Sequence, residues 1–540
     1  MKHPLIPNFD PRSGPSWPGA GESKFLAAMP DGDMQRSANR NAKRDGNRRQ
    51  FLNHVGVLAG ALGISSLVPR RANGQPPPPD EPQDCAPPTP AGAAIPFKPN
   101  PADPVRVRKS AWDLTTAEVT RLRSAYDALR KLTVTSPNDP RGWQQQANVH
   151  CWYCGGGVDE NAGEEIHGSW WFFAWHRCYL YFHERILGKL IGDPTLALPY
   201  WDWDISAHRT LPPPYATPGN PTNSLFDQHR GAGPNDRMPK SIFAKLNHIM
   251  ASSNTDSFIG SNNPAGENGG AIENGPHGAV HIWTGDPTMK AANQDMGILA
   301  TAAQDPVFFS HHCNIDRLWD VWVNSSPAHR NPSSSAWLKH AWTFYDENGT
   351  YRSISVADVI SPESLGYTYH GGGSVAQQPQ QPHTFAIVPP ATKLSLGPSP
   401  TTHTMDVPDQ LRSLAAEHSA LPESAPGKAY LLHIEGIEAP VGATATVRVF
   451  VNQPDANAKT DPESPNCVGQ FTLLPKSRKP KTKNQERPHS KHIVLDVSAH
   501  IAAFKDKGKF SVTLVPTTAD DKQPEDTKIT YQKIYLTVER

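Results

Sequence analysis

The sequence predicts a mainly α protein, with a helical core interrupted by long loops and a C-terminal antiparallel β-sandwich. Apolar residues recur at helical spacing in 112–132, 175–190 and 306–322. The third segment opens at Asp305-Pro306, and proline suits a first helical turn. Strict alternation of apolar and polar residues predicts strands at 446–451, 491–497, 509–515 and 533–538.

Composition divides the 540-residue chain into six segments. Stretches rich in glycine, proline and serine lie at the boundaries between segments, as is typical of linkers. The segments are a polar N-terminal extension expected to be disordered, 1–46; an export leader, 47–73; a Pro-rich stretch, 74–100; the helical unit, 101–370; a linker, 371–425; and the β unit, 426–540.

The leader resembles a twin-arginine export signal. Arg48 and Arg49 precede an apolar run from Val55 to Val68, which is too short to span a membrane. The alternative, a buried helix, fits poorly with arginines on both flanks. We therefore expect a periplasmic or secreted protein, with the twin-arginine machinery as a partner and no stable membrane span.

Charge argues against a nucleic-acid partner. The chain carries 52 basic and 52 acidic residues, a formal net charge of zero. Nucleic-acid binding usually needs a basic excess or a basic face.

Two groups of histidines are the strongest functional signal. His277 and His281 are four residues apart, so they share one helix face, and His311 or His312 follows on a second helix. An earlier group comprises His150, His167 and His176. Neither trio includes a carboxylate, which favours a pair of copper ions and therefore dioxygen chemistry.

Other metals and a purely structural role are the alternatives. One trio alone also suits catalytic zinc, which takes three protein ligands and a water. A di-iron site needs Glu-x-x-His motifs on two helices, and near these histidines only Glu164 to His167 matches. A single histidine is most often a surface or core residue, but six in this arrangement point to metal.

Four stretches surround these histidines: HCWYC, the segment from IHGSWW to PYWDWD, ENGPHGAVHIWTGD and DPVFFSHHCNIDRLWDVW. They resemble the tyrosinase and polyphenol oxidase family of type-3 copper proteins, and the plant catechol oxidases most of all. The resemblance covers roughly residues 80–540. It implies that 101–370 is a dicopper catalytic domain built on a four-helix bundle, which oxidises o-diphenols to o-quinones with O2.

The resemblance assigns the copper ligands residue by residue. It implies that His312, rather than His311, completes the second site, and that His183 is structural. The implied first site is His150, His167 and His176, and the implied second site is His277, His281 and His312.

The resemblance also implies two covalent cross-links near the first site. Cys154 matches the cysteine that forms a thioether with the second ligand, here His167. Cys85 and Cys151 match the partners of one disulfide. Without the thioether, Cys154 is a buried thiol.

Three positions bear on which phenols react. Glu273 matches the glutamate that holds a water near the coppers, where it assists monophenol hydroxylation; the alternative is a solvated carboxylate at a helix start. Gly278 replaces an asparagine of many hydroxylating members, which argues against that activity. Leu299 replaces a phenylalanine that overhangs one copper, which argues for it. We expect diphenol oxidation with some monophenol hydroxylation; the alternative is a strict catechol oxidase.

The β unit, 426–540, resembles the domain that keeps plant enzymes latent by covering the copper pocket. Its loop from Gln453 to Gly469, with Phe471 nearby, is a candidate for the covering element, and no single plug residue stands out. An ordinary accessory domain is the alternative. Rival functions are a haemocyanin-like dioxygen carrier and, more distantly, a zinc hydrolase.

Overall fold

The computed structural model describes residues 85–539 apart from several gaps. The gaps are 86–87, 89, 91, 155–164, 218–222, 263–266, 286–294, 371–383, 387–393, 408–410, 413–428, 441–443, 475–490, 501–507 and 519. The predicted extension, the export leader, Glu164 and most of the Pro-rich stretch and linker lie outside the described residues. All described residues belong to one compact unit, Arg71–Arg540.

Helices dominate the first half of the described chain. They are α1 Thr116–Thr135, α2 Trp143–Tyr153, α3 Phe172–Ile191, α4 Pro213–Ala216, α5 Leu246–Ala251, α6 Thr255–Phe258, α7 Gly278–Gly285, α8 Leu299–Ala302, α9 Val307–Ser325 and α10 Ser335–Lys339. The three helices predicted from apolar spacing are α1, α3 and α9. Among the described helices, none combines the length and apolarity that a bilayer crossing requires.

Local signals explain where the long helices begin and end. Thr115 and Glu118 form a capping box at the start of α1: the Thr115 side chain accepts from the Glu118 N–H, and the Glu118 carboxylate accepts from the Thr115 N–H. Gly192 ends α3 in the left-handed conformation, with φ of +70°.

Strands dominate the second half of the described chain. They are β1 Ile95–Pro96, β2 Arg106–Arg108, β3 Glu267–Asn268, β4 Ala341–Tyr345, β5 Tyr351–Ser355, β6 Tyr367–Tyr369, β7 Thr384–Ala386, β8 Leu394–Leu396, β9 Thr401–Asp406, β10 Ala429–Ile437, β11 Ala445–Val451, β12 Cys467–Leu473, β13 Lys491–Asp496, β14 Lys509–Thr517, β15 Ile529–Tyr531 and β16 Lys533–Glu539. The predicted strands correspond to β11, β13, β14 and β16.

Two larger sheets make up the C-terminal region of the described chain. One has the order β3-β13-β10-β16-β7 and the other β12-β11-β14-β9. Side chains from both sheets, among them Leu432, Ile493, Val447 and Leu514, share one buried cluster. A helical core followed by a C-terminal sheet region is therefore confirmed. The four-helix-bundle and sandwich descriptions stay predictions.

A two-residue strand joins the helical and β regions. β3 precedes the second histidine group in sequence, yet it pairs in parallel with β13, with Glu267 opposite Lys491 and Asn268 opposite His492. Since strand pairing satisfies backbone groups that would otherwise be left unpaired, this contact fixes one edge of the β region beside the histidine-bearing segments.

A buried network of charges ties α3 to α9. Arg177 on α3 donates from Nε to Asp316 Oδ1 on α9 at 2.5 Å, and Arg108 donates from Nη1 to Asp316 Oδ2 at 3.3 Å. The Tyr367 hydroxyl, on β6, donates to the same carboxylate at 2.5 Å. Because α3 and α9 each carry a candidate metal ligand, this network sets the spacing of the site.

Candidate metal centre

The six predicted histidines converge in one buried site. His150 lies on α2, His176 on α3, His281 on α7 and His312 on α9. His167 precedes α3, and His277 ends a π-helical turn, Glu273–His277. All six side chains are buried.

Within each trio the rings are close enough to share one ion. In the first trio the ring centroids of His150, His167 and His176 lie 5.2–5.6 Å apart. In the second, those of His277, His281 and His312 lie 4.7–5.5 Å apart. The trios adjoin, since the His176 and His312 rings are 4.1 Å apart. Two neighbouring ions fit this arrangement.

Backbone carbonyls fix the orientation of four of these rings. In each, Nδ1–H donates to a carbonyl oxygen, which turns Nε2 towards the centre of the site. The pairs are His150 to Leu299 at 2.9 Å, His176 to Phe172 at 2.8 Å, His277 to Glu273 at 3.1 Å and His281 to Met296 at 2.9 Å.

Several ring nitrogens of the site are left for a metal. Among the described residues, Nε2 of His150, His176 and His277 is buried with no hydrogen-bond partner. A buried nitrogen without a partner costs free energy, and a coordinated ion removes that cost. The donor set therefore fits a metal that accepts imidazole.

Burial keeps these imidazoles neutral, as metal binding requires. Desolvation lowers the pKa of His150, His176, His277 and His312 well below the usual value, and neighbouring imidazoles lower it further. Desolvation likewise lowers the pKa of His281 to about 3.

Hydrogen bonding distinguishes His312 from His311. The Trp203 indole Nε1–H donates to His311 Nδ1 at 3.0 Å, which favours the neutral tautomer with its proton on Nε2. The ligand atoms of His311 nevertheless lie within 4.8 Å of those of His277, His281 and His312. His312 Nε2 lies 3.3 Å from His281 Nε2, inside the second trio. His183 has partners at both ring nitrogens, Gln146 at 3.1 Å and Tyr126 at 3.3 Å, which suits a structural role.

The cysteines predicted to form cross-links lie beside the first trio. Cys85 and Cys151 form a disulfide with Cα atoms 5.7 Å apart, next to His150. Cys154 is buried at the end of α2. The Ile166 N–H donates to the Tyr153 carbonyl at 3.2 Å, which places the chain around His167 beside the chain around Cys154.

Glu273 lies at the start of the π-helical turn, between the two trios. Its Oε1 accepts from the Gly168 N–H at 2.6 Å, directly after His167. A Cβ on Gly269 would lie 2.4 Å from Glu273 Oε2, so any other residue there would displace this carboxylate. Gly269 and Gly168 are site residues that the sequence analysis missed, although glycine beside a metal motif is a detectable signal.

Leu299 adjoins the first trio and Gly278 the second. Leu299 begins α8, is 4% exposed, and supplies the carbonyl that holds His150. Gly278 begins α7, directly after His277.

Strand β12 of the C-terminal region covers the π-helical turn. A Cβ built on Gly278 would lie 3.1 Å from the Thr472 Cβ, and one on Gly275 would lie 3.6 Å from the Gln470 carbonyl oxygen. Gln470 Nε2 also donates to the Ile242 carbonyl at 3.3 Å. Phe471 points the other way, into the core between the sheets. The residues that reach the site are Gln470 and Thr472.

Family models match most of the chain. The common central domain of tyrosinase matches residues 140–242 and 217–325. The polyphenol oxidase middle domain matches 332–376, and the chloroplastic polyphenol oxidase C-terminal domain matches 418–534.

Relatives and solved structures agree with these matches. The chain is 33% identical to a chloroplastic polyphenol oxidase of Malus domestica over 457 residues, 74% of each protein. It is 31% identical to the latent form of a chloroplastic polyphenol oxidase of Prunus armeniaca, over 78% of this chain and 75% of that protein. Latent apple tyrosinase superposes with a TM-score of 0.67 at 28% identity, covering 83% of this chain and all of that one.

The relatives overturn one prediction. Both are named chloroplastic, so the twin-arginine export machinery is the wrong partner. An arginine pair before a short apolar run is a weak signal, because plastid transit segments are also rich in arginine.

The histidine geometry, the three family models and the relatives identify one family, whose members hold a binuclear copper site: the chain belongs to the tyrosinase and polyphenol oxidase family of copper oxidoreductases.

Proposed function

We propose that the protein is a polyphenol oxidase that converts o-diphenols to o-quinones with O2 at two copper ions. His150, His167 and His176 would hold the first ion. His277, His281 and His312, from a group of four histidines that also includes His311, would hold the second. One observation carries the proposal: buried imidazoles, fixed through Nδ1, turn their Nε2 atoms towards two adjoining centres.

When bound, a copper pair supplies the redox capacity to accept two electrons from a catechol and pass them to O2. The chain's own residues position this chemistry. The ring of Phe308 lies 4.6 Å from His150 and 4.2 Å from His312, and the ring of Phe172 lies 4.7 Å from both His176 and His277. These apolar rings exclude water and hold the ligand rings in place.

We propose that Cys154 and His167 are joined by a thioether. Such a bond would fix the ring of His167, whose orientation the loop before α3 controls less firmly than a helix does. Mass spectrometry of a digest tests this: the linked peptides should appear together, lighter by two hydrogens than their sum, and separate unmodified peptides would contradict it.

We propose that Glu273 supports monophenol hydroxylation by holding the water that removes the phenol proton. Glu273→Gln keeps an oxygen to accept the Gly168 N–H but cannot take the proton. It should lower tyramine hydroxylation about 100-fold or more and leave dopamine oxidation unchanged. A trace of catechol in each assay removes the lag. If the parent protein takes up no oxygen with any monophenol, the hydroxylation proposal fails and the protein is a strict catechol oxidase.

We propose that the C-terminal region makes the enzyme latent, with Gln470 and Thr472 as the covering residues. Their contacts with Ile242 and Gly278 support this, as does the similarity to a latent tyrosinase. Limited proteolysis within residues 371–425 should raise catechol oxidation. Unchanged activity after complete cleavage would make the region an accessory domain.

The relatives' names support delivery across a membrane, and we propose an organelle of the plastid kind as the destination. The periplasmic or secreted location expected from the sequence stays a prediction. Fractionation of cells that express the full chain tests this. The proposal expects the protein inside an organelle fraction, and its appearance in the medium would contradict it.

The proposal as a whole is tested by copper counting together with quinone formation. The expected result is two copper ions per chain and an o-quinone product from 4-methylcatechol. Reversible O2 binding without quinone formation, even after proteolysis, would favour a dioxygen carrier instead.

A further inference from the structure

We propose that the uncovered enzyme prefers phenols that carry a negatively charged substituent, such as a carboxylate, because a basic rim borders its copper pocket. This inference rests on the proposed function and names the substrate class for that same site. The basic rim consists of Arg209, Arg237, Lys240 and Lys245.

Lys245 places the rim beside the copper centre. Together with Ile242 and Gln470 it lines a crevice whose wall includes Pro276, the residue before His277. Gln470 and its strand β12 form the opposite wall, so the removal of β12 would open this crevice to solvent. A substituent that extends into this crevice from a ring near His277 would meet Lys245.

Two other cations of the rim lie on or beside the segment that carries Lys245. Lys240 begins the turn Lys240–Phe243, and the guanidinium of Arg209 sits 4.3 Å above the ring of Phe243. Burial lowers the pKa of Arg209, and the nearby charge of Arg237 lowers it further. The rim is therefore a cluster of like charges, which a neighbouring anion would stabilise.

In the covered state the C-terminal region supplies that negative charge. Lys245 Nζ donates to the Ser464 carbonyl at 2.9 Å, and Lys240 Nζ lies 4.0 Å from the Asp461 carboxylate. Glu463, which lies between Asp461 and Ser464 in the sequence, raises the pKa of Arg209 and so opposes the lowering. The acidic turn Asp461–Ser464 therefore occupies the rim in the way that an anionic substituent would.

Removal of this turn leaves Asp204 as the carboxylate that acts on Arg209. Asp204, the helical-side carboxylate that acts on Arg209, accepts from Arg317 at 2.6 Å and is therefore already paired. The rim would keep its positive charge in the open enzyme. An exposed ion pair contributes about 0.2–1 kcal/mol, so one lysine should change the relative kcat/KM by about 1.5- to 5-fold.

The test compares three catechols that differ in charge. They are 3,4-dihydroxyphenylacetate, neutral 4-methylcatechol and cationic dopamine, each assayed on the copper-loaded full chain, nicked within residues 371–425 with both fragments retained. The quotient of two kcat/KM values does not depend on the fraction of open enzyme, because both substrates sample the same fraction.

The anionic substrate should have the highest kcat/KM relative to the neutral one, and dopamine the lowest. Lys245→Gln should lower the anionic-to-neutral quotient about 1.5- to 5-fold. Lys98→Gln, which removes an exposed lysine paired with Asp358 elsewhere, should leave it unchanged. Raising the salt from about 0.02 M to about 0.5 M should also lower the quotient, since exposed charges are screened.

Equal quotients for the parent and Lys245→Gln, with the neutral catechol still oxidised, would overturn the basic-rim inference and leave the proposed function intact. If the neutral catechol is not oxidised at all, the proposed function fails, and the inference fails with it.

Discussion

Replacing Gly278 by alanine tests how β12 covers the copper site. Gly278 has φ of −62°, so alanine suits its backbone, and an alanine within a helix is favourable by about 1 kcal/mol. The added Cβ would lie 3.1 Å from the Thr472 Cβ and 3.3 Å from its Cγ2, closer than well-packed carbons approach. The substitution therefore crowds the covered state and not the helix.

Such crowding in a packed interface costs about 1–3 kcal/mol. That cost shifts the balance between covered and open states about 5- to 150-fold. The measured quantity is the rate of 4-methylcatechol oxidation by the full-length chain divided by the rate of its nicked form. This ratio should be higher for Gly278→Ala than for the parent. Because both rates come from the same variant, dividing by the rate of the nicked form removes any direct effect of the alanine on the copper site.

Two variants serve as controls. Gly397→Ala adds a methyl group in the C-terminal region with no atom within 4 Å and should leave the ratio unchanged. Thr472→Gly removes both crowded atoms, so Gly278→Ala should have a smaller effect in that background. An equal rise in both backgrounds, or no rise in either, would refute the proposed contact.

Three further predictions concern other parts of the site. Asp316→Asn leaves the buried cation of Arg177 without its carboxylate and should destabilise the chain by about 3–5 kcal/mol, measured by urea unfolding. Hydrogen bonds to Asp227 and a second aspartate raise the pKa of His229 to about 10. The ion pair therefore stabilises the folded chain fully below the ordinary histidine pKa of 6.5, and this contribution is lost as pH rises through about 10. The parent should therefore lose more stability than His229→Gln between those pH values, and equal losses would contradict the ion pair. Leu299→Phe should narrow the approach to the first site and lower kcat/KM for bulky 4-substituted catechols more than for catechol itself; an equal loss for both would argue against a gate.

The sequence alone predicted the parts of the molecule that carry a periodic or spaced pattern. The i, i+4 spacing of His277 and His281 predicted neighbouring rings, which lie 4.7 Å apart, and alternation located the strand β11. The choice between His311 and His312 needed the family pattern, because the hydrogen bond from Trp203 joins residues 108 positions apart.

Features without a periodic pattern were missed. A two-residue strand such as β3 carries no alternation, so its pairing with β13 could not be foreseen. The π-helical turn contains Pro276, which ordinarily ends a helix. The covering residues could have been narrowed down from alternation: once Phe471 faces the apolar core, its neighbours Gln470 and Thr472 must face the helical region.

The most direct test of the central claim is the copper content of the full chain, measured by elemental analysis beside its catechol oxidation after nicking. The parent protein and His311→Ala should each hold two copper ions per chain and form quinone. His312→Ala should lose one ion and quinone formation. A His312→Ala protein that keeps two coppers and full activity, or a parent that holds two coppers and forms no quinone, would contradict the proposed copper centre.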